Sequence, residues 1–107
     1  MESSTETVGK WVVLTVAGRI DAITSVALED ACRVELEKGT AWLAFDLAGV
    51  PYMSSAGLRV LLATMRTATT RAGGVTLIGP HDIVKQVLEV SGFLTLLPVV
   101  AAREDLP

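Results

Sequence analysis

The stretch Pro51–Leu62, PYMSSAGLRVLL, sets two serines side by side, then Ala-Gly, then apolar residues at helical spacing. Leu58, Leu61, Leu62, Met65, Ala68 and Ala72 fall on one face, with Arg59, Ala63, Arg66, Thr67 and Thr70 largely opposite. The pattern predicts an amphipathic helix that opens at the serines and stops at Gly73-Gly74. Ser54 reads as the N-cap, its hydroxyl engaged by the first free N–H groups of the helix. Ser55 then lies in the first turn. A helix N-terminus favours negative charge, so a hydroxyl there can accept a phosphate, about −1.5 to −2 charge units, without unfolding the chain. Capping and phosphate acceptance are compatible if Ser54 caps and Ser55 points outward.

Outward from this stretch, strand and helix patterns alternate. Lys10–Gly18, KWVVLTVAG, reads as a buried strand, with TETV before it as an edge strand joined through Gly9. Leu28, Cys32 and Leu36 recur at i, i+4, i+8 and predict a helix entered near Thr24 or Ser25 and stopped at Gly39. AWLAFDLAGV is a second core strand and VTLIG a third. In GPHDIVKQVLEVSG, Pro80 suits the first helical position and Asp82 the first turn, while Val84, Val87 and Leu88 face inward. FLTLLPVV reads as a last strand, placed at an edge by Pro98.

This alternation predicts an α/β fold with a four- or five-stranded, mostly parallel sheet, an N-terminal edge strand and three main helices. The expected core holds Val13, Leu28, Cys32, Leu36, Leu43, Phe45, Leu58, Leu61, Leu62, Leu77, Val87 and Leu88. Loops that follow parallel strands gather at the carboxyl edge of the sheet, where ligands and partners engage. Arg19–Thr24, Ala48–Ser55 and Gly79–Asp82 are therefore expected to meet.

Composition narrows the function. The chain has 107 residues, half of them hydrophobic, which suits one domain over residues 1–107 with a real core. Its net charge of −3 argues against a nucleic-acid partner. Cys32 is the sole cysteine, so no internal disulfide forms. The N-terminus lacks the apolar run of a signal peptide, and Val90–Ala102, interrupted by Gly92 and Pro98, is short of the roughly 20 residues of a bilayer span. The expectation is a soluble, cytoplasmic protein with no membrane association. His81 is the only histidine, SSAG is not a hydrolase elbow, and no metal-ligand spacing or phosphate loop is present. No enzymatic activity, cofactor or metal is expected.

The order strand, GRIDAITS, helix, AFDLAGVPYMSSAGLRVLL, AGGVTLIGPHDIVKQVLEVSGF resembles a STAS domain, and within it the bacterial anti-sigma factor antagonists, from about Val12 to about Val99. The motif of that family, Asp-Ser-(Ser/Thr)-Gly-Leu, falls on Ser54, Ser55, Ala56, Gly57 and Leu58. Gly18 and Asp21 match the turn before the first helix, and Asp46 an acidic residue ending the strand that feeds the serine loop. VSGF matches the end of the third helix. Ser54 stands where the family has aspartate, Ala56 where a second hydroxyl is common, and AAREDLP leaves room for little more than one turn of a fourth helix.

The resemblance implies a switch. The unphosphorylated protein binds an anti-sigma factor, a GHKL-type ATP-binding serine kinase, and so frees a sigma factor. Phosphorylation at Ser55 dissociates the complex, and a metal-dependent serine phosphatase resets it. The alternative is a constitutive interaction module, as in lipid-transport ATPases or stress-sensing scaffolds, in which the serines only cap. Ile20, Asp21, Ile23, Met53, Ser54, Ser55 and Arg59 are the expected partner contacts, with Ile23 and Met53 presenting apolar surface. The opposite edge, near Lys38 and Thr40, is expected to matter little.

Overall fold

A computed structural model describes all of residues 1–107. The strands are β1 (Glu2–Val8), β2 (Trp11–Ala17), β3 (Trp42–Gly49), β4 (Gly74–Ile78) and β5 (Val99–Val100). The helices are α1 (Ser25–Glu37), α2 (Ser55–Thr70) and α3 (Asp82–Val90), with short 3-10 turns at Phe93–Thr95 and Arg103–Asp105. One five-stranded sheet runs β1-β2-β3-β4-β5 in space; β1 is antiparallel to β2 and every other pair is parallel. The α/β architecture therefore agrees with the sequence.

Successive residues of a strand point to opposite faces. Leu14 and Val16 of β2, Leu43, Phe45 and Leu47 of β3, and Val75 and Leu77 of β4 join Leu28, Cys32, Leu58, Leu61, Val84 and Leu88 from the helices in one buried cluster. All three helices thus cover a single face. The alternate residues Trp11, Val13, Ala44 and Ile78 form a smaller cluster on the other face, against Leu106 and Val100.

Several local readings are corrected. β1 takes in Glu2–Val8 rather than TETV alone, because backbone pairing with β2 carries a strand whose residues are nearly all exposed. FLTLLPVV is a 3-10 turn followed by two strand residues. Gly92, at φ 78°, breaks the chain direction, and Pro98, with no N–H, cannot donate to a ladder. Pro80 is buried ahead of the N-cap His81 instead of opening α3.

In α2, Val60 and Thr64 are buried while Leu62 is only half-buried, so the inward face is rotated from Leu62 toward Val60. Leu36 and Val87 pack half-buried at the rim of the core. Ala72 lies outside the helix, exposed, at φ 59°. Gly73 N–H bonds the Ala68 carbonyl (2.8 Å) and Ala72 N–H that of Thr69 (3.1 Å), closing the helix end with alanine in the left-handed position. Glycine is needed one residue later, since a Cβ on Gly73 would fall 1.7 Å from the Ala41 carbonyl oxygen.

Candidate functional site

The three loops after β2, β3 and β4 do meet. Ile20 and Met53 form an isolated parallel bridge. Ile20 N–H donates to the Tyr52 carbonyl (2.9 Å), and Ser54 N–H donates to the Ile20 carbonyl (2.8 Å). The loop entering α1 is thereby stitched to the loop entering α2. Ile20 and Met53 are buried at 0% and 2% exposure, so neither presents surface, and the reading of Met53 as an exposed contact is overturned. The cause is Gly57: a Cβ there would lie 2.7 Å from Ile20 and 2.8 Å from Met53. Glycine lets the first turn of α2 settle on the bridge and seal it.

Ser54 occupies the N-cap with extended backbone (φ −85°, ψ 174°), and its carbonyl accepts from Leu58 N–H (3.2 Å). Its hydroxyl, however, is buried without a partner, contrary to the expected side-chain cap. Ser55 is the first helical residue and is exposed. The N–H groups of Ser55, Ala56 and Gly57 make no backbone hydrogen bond. The exposed Ser55 therefore begins a helix whose first three amides have no backbone partner.

Asp21 closes the α1 entry. Its carboxylate accepts from Ile23 N–H (3.0 Å) and Thr24 N–H (2.9 Å), while Thr24 Oγ1 accepts from Asp21 N–H (2.8 Å). The bond from Thr24 N–H is the main reason the Asp21 carboxyl is held below its ordinary value. Asp21 thus holds the loop, and what the loop displays is Ile23, at 82% exposure. The Arg19 guanidinium stacks 4.4 Å over the Tyr52 ring, tying the same two loops on their outer side.

The third loop is attached by His81. Its Nε2 lies 2.8 Å from the Ala48 carbonyl oxygen and its Nδ1 2.9 Å from Asp82 Oδ2. Both neighbours are acceptors, so both bonds exist together only when both ring nitrogens carry protons. The Asp82 contact, then the Ala48 bond, raise the His81 pKa above its ordinary value. Neither ring nitrogen is free to serve as base for a serine. Burial pushes the Cys32 thiol up to about 11, consistent with its reading as a core residue.

Sequence reasoning missed Arg103. It reaches Asp46 (3.3 Å), Glu6 (2.6 Å) and Thr15, pinning the tail across the second sheet face, and the Asp46 carboxylate also accepts from Ala48 N–H (3.1 Å). Partners 57 to 97 residues distant leave no local pattern to read.

The family model of the STAS domain matches residues 2–106. The chain belongs to the STAS family. BtrV of Bordetella bronchiseptica, provisionally named an anti-sigma factor antagonist, is 30% identical over 97% of this chain and 90% of its own length, which places this STAS protein among those relatives. An anti-sigma factor antagonist from Mycobacterium paratuberculosis superposes with a TM-score of 0.88 at 24% identity, covering 97% of this chain and 88% of that one. SpoIIAA of Bacillus, a cell fate determinant solved in its phosphorylated form, superposes with a TM-score of 0.74 at 20% identity, covering 96% and 95%. At those identities the solved structures share the fold.

Proposed function

We propose that this STAS protein is an anti-sigma factor antagonist switched off by phosphorylation at Ser55. The observation that carries the reading is the exposed Ser55 as the first residue of α2, where the N–H groups of Ser55, Ala56 and Gly57 have no backbone partner. The names of its relatives support the partner class. Unmodified, the edge formed by Ile23, Tyr52, Ser55 and Arg59 binds an anti-sigma factor that is itself a GHKL-type serine kinase, and sigma factor is released. The kinase transfers the γ-phosphoryl group of ATP to Ser55 Oγ; the hydroxyl proton is lost, a P–O bond to ADP breaks and ADP leaves. The dianion rests on the free amides, so the fold tolerates it, while a partner packed on this edge must desolvate it and detaches. A metal-dependent serine phosphatase hydrolyses the ester and restores binding.

Mass-spectrometric mapping after incubation with the cognate anti-sigma kinase and ATP tests the site. Phosphate on Ser55, absent from Ser55→Ala, is the expected result. Phosphate on Ser54 alone overturns the site. Stable binding with no phosphate anywhere supports a constitutive module instead.

A further inference from the structure

Of the six arginines in this acidic chain, four are engaged within it. Arg33 pairs with Asp30 and Glu37, Arg71 bonds the Leu36 carbonyl, Arg103 binds Asp46 and Glu6, and Arg19 lies over Tyr52. Arg59 and Arg66 have no such partner. Both are exposed on α2, and both line the same groove between α1 and α2, about 440 Å³ in volume. Two turns of helix separate them, about 10 Å along the axis. Leu62 and Ala63 lie between them, Ala56 about one turn before Arg59, and Val26, 59% exposed, on α1 opposite. The groove begins at Ala56, next to Ser55.

We propose that this groove docks an acidic amphipathic helix of the anti-sigma factor, with carboxylates two turns apart on Arg59 and Arg66 and apolar residues between them on Val26 and Leu62. The inference rests on the proposed function and names the chemistry of its partner. Charge complementarity selects the occupant: two free guanidiniums flank an apolar floor in a protein whose net charge is −3. Glu29, the one acid lining the groove, stands on the α1 wall and suits a basic residue on the far flank of the docked helix. The placement also gives phosphorylation a second lever. Ser55 and Arg59 are one turn apart, so a phosphate on Ser55 competes with the partner carboxylate for Arg59.

The test is titration of the cognate anti-sigma kinase with wild-type protein, Arg59→Glu, Arg66→Glu and Lys85→Glu, the last an equal charge reversal on α3. Thermal unfolding confirms that each variant is folded. The groove requires that Arg59→Glu and Arg66→Glu each bind at least about tenfold more weakly. Lys85→Glu should stay within about twofold. Added salt should weaken the wild-type complex more than it weakens that of Arg59→Glu or Arg66→Glu. A wild-type complex insensitive to both reversals, or equally sensitive to Lys85→Glu, overturns the groove while leaving the antagonist function standing. Absence of any wild-type complex overturns the function, and the groove with it.

Discussion

On the helix side of the sheet, nineteen buried apolar residues pack into one cluster. On the opposite side only Trp11, Val13, Ala44 and Ile78 are buried together, and the cover is a tail from Ala101 to Pro107. That tail is held by direction-dependent contacts. Arg103 reaches three strands' worth of side chains, Trp11 Nε1 donates to the Pro107 carbonyl (2.8 Å), and Leu106 rests on the small cluster. The contrast teaches that one face is secured by area removed from water and the other by a few geometrically demanding bonds. Substitutions should separate the two.

The largest effect is expected on the helix side. Leu61, fully buried in α2, should cost ~2–5 kcal/mol when cut to alanine, read as a shift in the urea midpoint. An unchanged midpoint would remove α2 from the core. On the tail side, Arg103→Ala should cost less, about 1–2 kcal/mol, because it strips a charged donor from Asp46, whose side chain is mostly buried. Glu6→Ala, at an exposed partner, should fall below about 1 kcal/mol. An effect of Arg103→Ala as large as that of Leu61→Ala would erase the distinction between the faces.

A smaller effect should track pH at the edge that joins the loops. His81 is protonated more readily in the folded chain, so its contribution is complete below the ordinary histidine pKa and fades as pH rises through the folded value. An NMR titration of the His81 ring should show the raised midpoint, and His81→Gln should flatten this part of the stability–pH curve. A midpoint at or below the ordinary value would detach the third loop from Ala48.

The contrast between the faces is also a contrast in legibility. α1, α2 and the core strands were readable because Leu28, Cys32, Leu36, Leu58 and Leu61 recur with helical period, and because β-branched runs flank glycines. The gathering of three loops followed from parallel topology alone. Burial of Met53 was not readable, since an apolar residue in a loop looks the same whether it bridges to Ile20 or faces solvent; the spacing rule that assigns faces does not operate there. Gly57 was the available signal, an apolar-flanked glycine in a helix marking close approach. The free hydroxyl of Ser54 and the Arg103 clasp depend on torsions and distant partners, which no periodicity encodes.

The proposed switch holds that a charge placed on Ser55 turns partner binding off. Calorimetric titration of the cognate anti-sigma kinase with unmodified protein and with protein phosphorylated to completion at Ser55 tests it most directly. Affinity should fall at least about tenfold, equivalent to about 1.4 kcal/mol, with the thermal midpoint of the free protein nearly unchanged. Equal affinity of the two forms would contradict it.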